Sequence, residues 1–438
     1  MAFKLRTPIT RTIGRLLTLV VVSLLTALFS YLGPMPGMAK DTMLLGFLLL
    51  SAFVAGELAR ELRLPRITGY LVIGILFGPH VLSLLPQQTV SGFRLINDTA
   101  LSVIALQAGG ELRLHSLKQR VGSFATIGAF QIILVAIGIT AIVLLSHEAF
   151  PFLAGQPHRV VLAVAMIFGL VAVAKSPATT IAVITELKAR GPLADTVLAV
   201  SVLKDVAILL MIAAVIPAAA VLVDPTGGFD FVQLRDISLT IVLALLMGVA
   251  VGWLIVLYLH KVNVQPILFV LAAAFIIVEL THALHLESEA YILSSMAAGF
   301  VVQNFSVQGP KFVEALEANS LPIYALFFAV AGADLRLGVI PSVWQVGLVL
   351  IIGRLVLIYL STYLGAVASG EGYTIRKYSW MGFIAQAGVT LGLANIVQDR
   401  FPVWGEGVAT IVIAMIAVNQ LIGPPLFRFS LVRAKEAG

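Results

Sequence analysis

Apolar runs follow one another along this chain, separated only by short charged or Pro/Gly-rich breaks. No soluble fold can hide that much apolar surface. Of the 438 residues, 60% are hydrophobic and 11% charged, where soluble domains carry about 25% charge. In lipid every backbone polar group must be satisfied within the protein, and runs of this length do so as helices. An all-α polytopic membrane protein is therefore predicted. The absence of cysteine rules out a disulfide frame and a thiolate metal site. The net charge of +6 does not mark a nucleic-acid binder, because the basic residues are scattered through short loops without interleaved aromatics.

Runs of membrane length are read near 12–33, 42–58, 67–85, 98–112, 122–146, 160–187, 193–221, 238–259, 264–282, 288–304, 320–335, 342–368, 378–397 and 404–427. This predicts about fourteen transmembrane helices. Leu16 to Tyr31 follows a basic stretch but lacks an A-x-A-like cleavage box, so a retained first helix is preferred to a signal peptide. Alternating the spans from a cytoplasmic N-terminus puts most of the 28 Lys and Arg inside, as the positive-inside rule requires. Both termini are then cytoplasmic.

LQAGGELRL (106–114) returns as AVAGADLRL (329–337), and GYLVIGILFGP (69–79) has a weaker counterpart in SSMAAGFVVQN (294–304). Read as a repeat, these segments define units of six helices at 42–221 and 264–427, with 238–259 as linker. Seven helices separate matching members, so the units would have inverted topology, a usual scaffold for alternating access.

Charge inside the apolar runs carries the chemistry. Thr196 to Val223 holds only Lys204 and Asp205 as ionisable groups, and Lys175 and Arg354 interrupt two other runs. Such groups are costly in lipid and mark ion or proton sites. In VAKSPATTIAV, Pro177 breaks the helix while Ser176, Thr179 and Thr180 are able to pair with the freed carbonyls or with an ion. GFIAQAGVTLGLAN (382–395), with Gln386 and the helix-breaking Gly388, is the expected partner break. Two crossed, discontinuous helices would offer half-helix ends to ions. Asp205 is the candidate titrating ligand for a proton or a monovalent cation. Lys204 points about 100° away from it around the helix. Three roles stay open for Lys204: a proton carrier, a fixed charge standing for a cation, or an attractor of anions. Arg354 keeps its proton and reads as a counter-charge to Asp205 or to helix carbonyl ends. The histidine spacing supports no metal site, and no phosphate loop is present.

These motifs resemble the monovalent cation:proton antiporter superfamily, especially its bacterial CPA2-type branch. LARELRLPRITGYLVIGILFGPH (58–80) is similar to that family's opening hallmark. SPATTIAVITELKARGPLADTVLAVSVLKDVAILL (176–210) is similar to its unwound helix and ion-site helix, and FFAVAGADLRL (327–337) and GFIAQAGVTLGL (382–393) to its later elements. The resemblance covers roughly 42–427. It implies a mobile core of 122–221 with 342–427, moving like an elevator against scaffold helices at 42–112 and 264–335. An extra N-terminal helix would occupy 1–41 and a short cytoplasmic tail 428–438. It further implies a homodimer in the bacterial inner membrane, contacting lipid and needing no cofactor. Asp205 matches the family's essential aspartate, Arg354 its basic partner and Pro177 the proline of the first unwound segment. Lys204 and Lys175 depart from the pattern, and either is placed to take the electrostatic role of sodium or potassium. Three functions follow: antiport of a monovalent cation against protons, proton-linked or exchange transport of a small anion through Lys175 and Lys204, or a non-transporting scaffold or sensor.

Overall fold

A computed structural model describes residues 8–31, 37–224, 231–262, 266–286, 290–335, 338, 340–386 and 389–438. Every regular element in it is helical. In chain order these are α1 (Pro8–Tyr31), α2 (Gly37–Glu61), α3 (Arg66–Phe77), α4 (Gln87–Gly92), α5 (Arg94–Glu111), α6 (Leu114–Leu145), α7 (His158–Val173), α8 (Pro177–Glu186) and α9 (Pro192–Val223). They continue as α10 (Phe231–Lys261), α11 (Pro266–Ala283), α12 (Ala290–Phe305), α13 (Gly309–Ala318), α14 (Ser320–Ala333), α15 (Ile340–Ala368), α16 (Tyr373–Tyr378), α17 (Val389–Arg400) and α18 (Gly405–Ala434). Short 3-10 turns occupy His147–Ala149 and Ser379–Phe383.

The solvent these helices face is apolar. On α10, Leu239, Val242, Leu246, Val249, Trp253, Leu254 and Leu257 are exposed, and Leu348, Ile352, Val356 and Leu360 form a similar stripe on α15. Side chains of this kind are stable facing outward only in hydrocarbon. The chain is a multi-pass membrane protein.

The expectation of about fourteen spans in two inverted six-helix repeats is overturned. Among the described residues, seven helical stretches are long and apolar enough to cross a bilayer, or eight if α13 and α14 make one broken span. The seven are Ala39–Glu61, Lys118–Leu145, His158–Glu186, Pro192–Val223, Arg235–Lys261, Val343–Ala368 and Gly405–Ala434. Two six-helix units need twelve full spans, which seven or eight do not supply. The reason is length. Apolar helices of 10–17 residues at Gly14–Leu28, Arg66–Phe77, Ile267–Ala283 and Ala290–Phe305 rise only about 1.5 Å per residue, short of a hydrocarbon core of about 30 Å. The expected span at 378–397 is divided by a non-helical stretch at 384–386. Hydropathy alone reads through such ends and breaks.

Two compact units divide the chain, one of residues 1–101 with 318–336 and one of 102–317 with 337–438. In the first, α3 packs on α2 and on α14. Glu57 gathers Arg66 at 2.7 Å, Arg60 at 3.0 Å and Arg15 at 3.2 Å, tying α1, α2 and the start of α3 together. In the second, α6 packs on α7 and α15, α7 on α9, and α10 on α12. There α5 crosses α12 closely enough that a Cβ on Gly299 would stand 1.9 Å from the Leu106 carbonyl oxygen, so only glycine admits this approach. The second unit holds all the candidate site residues.

Candidate functional site

The site is built where two helices stop short. α7 ends at Val173, residues 174–176 run extended, and α8 begins at Pro177. Pro177 occupies the first helical position, where a missing N–H costs nothing and the fixed φ suits the helix. Ser176 caps α8, its Oγ accepting from the Thr179 amide at 3.3 Å. The second break follows Phe383 and runs through Ile384, Ala385 and Gln386; Gly388, the other expected breaker, lies outside the described residues. The two breaks meet, with the Ser176 amide donating to the Ala385 carbonyl at 2.9 Å. Gly423 on α18 makes room, since a Cβ there would lie 2.8 Å from the Ala385 nitrogen.

Backbone carbonyls freed by the breaks need donors in a medium without water. Arg354 supplies most of them. It is fully buried on α15, and its guanidinium donates to Ala172 and Ile384 at 2.8 Å each, to Ala174 at 2.9 Å and to Phe383 at 3.4 Å. One planar group thus ties both breaks to each other. Gln386 adds a bond from Nε2 to the Val171 carbonyl at 3.0 Å, while its Oε1 accepts from Asn419 at 2.8 Å. Gln420 reaches Thr179 Oγ1 at 3.1 Å. The carbonyls of Val171, Ala172 and Ala174 at the end of α7 are therefore taken by the protein's own donors.

α9 brings the charged pair to these breaks. Asp205 is 7% exposed and Lys204 fully buried. Lys204 Nζ donates to Gln131 Oε1 on α6 at 2.8 Å, and Gln131 Nε2 donates to Thr362 on α15 at 2.8 Å. Lys175, in the first break, donates to Thr180 Oγ1 on α8 and Ser201 Oγ on α9. Both ammonium groups stand over one ring, Phe383, at 5.6 Å for Lys175 and 5.7 Å for Lys204. Such contacts stabilise a desolvated cation by about 2 kcal/mol. Asp205 is in electrostatic reach of both lysines. Lys175, Ser176, Thr179, Thr180, Lys204, Asp205, Arg354 and Gln386 thus fall in one region. Sequence reasoning missed Gln131, Ser201, Thr362, Phe383, Asn419 and Gln420. The amides carry a usable signal, being lone polar residues inside apolar runs; Phe383 carries none.

At one end of the same unit, α9 starts beside a cavity of about 200 Å³ lined by Glu111, Arg113, Arg120, Arg190 and Asp195. Arg120 bonds Glu371 and Thr196 there. Glu436 caps α9, its two carboxylate oxygens accepting from the amides of Leu193 and Ala194 at 2.8 Å each. Among the described residues no cluster of three or more His, Cys, Asp or Glu forms a metal site.

A family model described as sodium/hydrogen exchanger, transmembrane, matches residues 47–432. The chain is similar to the Na(+)/H(+)-K(+) antiporter GerN of Bacillus cereus, 22% identical over 406 residues that cover 88% of this chain and 95% of the relative. It also resembles two structures of the sodium proton antiporter MjNhaP1 from Methanocaldococcus jannaschii. One, described at pH 8, has a TM-score of 0.60 at 18% identity and covers 90% of this chain and 96% of its own. The other, from electron microscopy, has a TM-score of 0.71 at 18% identity and covers 91% and 98%. At that identity the likeness speaks for the fold. The family match spans most of the sequence, and the chain belongs to the transmembrane sodium/hydrogen exchanger family, secondary transporters that exchange a monovalent cation for protons.

Proposed function

We propose that Asp205 is the exchange group, holding a proton and a monovalent cation in turn as water reaches it from alternate sides. The observation that carries this reading is a nearly buried carboxylate on α9, beside two chain breaks whose carbonyls are already bonded to Arg354 and Gln386. With those carbonyls engaged, a carboxylate is the strongest cation ligand left in the region, and a carboxylate must release its proton to serve. Arg354 acts as the clamp that keeps the breaks open. Ser176 and Thr179 brace the start of α8. The relative from Bacillus cereus is by name an antiporter of Na+, H+ and K+, which supports Na+ and K+ as the cations to try first.

The lysines also raised an anion reading. It draws less support from this geometry, because each ammonium already donates to a protein oxygen. The basic end of the second unit, with Arg113, Arg120 and Arg190 around the cavity at the start of α9, is the cytoplasmic end under the positive-inside rule. The segments 122–221 and 342–427 act as the moving core, in a homodimer of the CPA2-type branch.

Purified protein in acid-loaded vesicles tests the central claim. Adding Na+, K+ or Li+ should drive proton efflux, and Asp205→Asn should abolish it. Flux by Asp205→Asn equal to the parent's, or a response to chloride alone, refutes the reading.

A further inference from the structure

Lys175 has surroundings unlike those of Lys204. Its ammonium meets two hydroxyl oxygens, Thr180 Oγ1 and Ser201 Oγ. Each hydroxyl has another use for its proton: Thr180 Oγ1 donates to the Ser176 carbonyl at 3.4 Å, and Ser201 Oγ donates to the Val197 carbonyl. A hydroxyl oriented in this way presents only lone pairs to its remaining partner. The face of Phe383 stands 5.6 Å from the same nitrogen and adds an electron-rich wall. Ser201 and Asp205 are four residues apart on α9 and share one face, and the Asp205 charge acts on Lys175. Lone pairs, a ring face and a nearby carboxylate suit a monovalent cation, and ammonium and potassium ions are close in size. Lys204 shares the ring and the Asp205 field, but its ammonium is held by one amide oxygen whose amide is itself fixed on Thr362.

We propose that Lys175 is a tethered substitute for a monovalent cation. Its ammonium permanently fills an oxygen-lined position, so Asp205 is left as the single exchangeable one. The idea rests on the Asp205 reading and adds a second, blocked cation position beside it.

Chemical rescue tests it. Lys175→Ala empties the position while keeping its oxygens; Lys175→Met fills the stem's volume without charge. The readout is exchange of labelled sodium, an ion much smaller than ammonium, with no potassium or rubidium present, across vesicles with equal pH and equal amine on both sides, so amine permeation builds no gradient. Lys175→Ala should lose at least about tenfold of the parent's exchange. Methylammonium or ammonium should restore most of it at about 10–100 mM, since a free ion lacks the effective concentration of a tether. Tetramethylammonium, too wide for the position, should restore nothing, and Lys175→Met should respond to no amine. Replacing Ser201 by Ala within Lys175→Ala should remove the rescue. Full exchange by Lys175→Ala without amine overturns the proposal, as does a folded, silent Lys175→Ala that no small cation revives. Should Lys175→Ala fail to fold, recovery of monodisperse protein in methylammonium supports the tether, and failure in every small cation refutes it. Asp205→Asn in the same vesicles separates the two ideas. If it still exchanges, the site reading falls; if it is silent while Lys175→Ala cannot be rescued, only the tether falls.

Discussion

Replacing Arg354 by Met tests what ties the two breaks together. The guanidinium makes bonds of 2.8, 2.8 and 2.9 Å to the carbonyls of Ala172, Ile384 and Ala174, and a longer one of 3.4 Å to Phe383. A hydrogen bond to a charged group contributes about 1.5–3 kcal/mol, so the three short ones together are worth about 4.5–9 kcal/mol. An opposing effect is that Met removes a fully buried charge, whose desolvation is costly. Exchanging a buried ion pair for apolar groups is often neutral, but only when both partners go. Here the partners are backbone carbonyls, and a side-chain substitution leaves them bare in a dry region. The loss should therefore win, with a net cost of about 4 kcal/mol. At the low end of the usual conversion, about 2 °C per kcal/mol for larger domains, the melting temperature should fall about 8 °C. Arg354→Lys keeps the charge but donates from one point, so it reaches the carbonyls of one break and should lose about half as much. Thermal melting of the purified protein in nanodiscs, followed by tryptophan fluorescence, gives the ranking. Arg354→Met melting within about 2 °C of the parent, or below Arg354→Lys by nothing measurable, refutes the clamp.

Gln131→Leu removes the acceptor of Lys204 and leaves Thr362 without its amide donor; a cost of about 2–3 kcal/mol is expected, read as a lower melting temperature. The same variant should also show a displaced pH profile of exchange, since Lys204 is set free to take another partner. Glu436→Ala strips the cap from α9 and should cost about 1 kcal/mol, read as a small fall in melting temperature. Glu436→Asp should keep part of that cap. Gly299→Val puts a side chain where even a Cβ stands 1.9 Å from the Leu106 carbonyl oxygen, and α5 and α12 must separate. A loss of about 3 kcal/mol or more is expected, visible as aggregation on size-exclusion chromatography; an unchanged elution profile and melting curve refute the close crossing.

Composition alone determined the solvent of this protein. A chain that is 60% hydrophobic and 11% charged can satisfy its backbone and bury its surface only in lipid. The same dry medium made Lys175, Lys204, Asp205 and Arg354 stand out, because an ionisable group in an apolar run is too costly to persist without a role. Local chemistry also located the first break, as Ser176 and Pro177 are the residues that start a helix. The span count was misread because hydropathy carries no signal for where a helix ends inside an apolar stretch: helices such as Arg66–Phe77 and Ala290–Phe305 stop too short to cross, and the run at 378–397 breaks after Phe383. Tertiary structure decided which charge meets which partner. Arg354 was read as a counter-charge to Asp205 or to carbonyl ends; its bonds are to carbonyls, and those come from two segments, one 180–182 residues before it and one 30 residues after it. Lys204 is adjacent to Asp205 in the chain, yet it donates to Gln131 on another helix. Neighbours along a helix diverge by about 100°, so sequence adjacency says little about contact. Burial depth, donor direction and the approach of distant helices are settled only when the whole chain packs, and these choose the partners of every charge in the site.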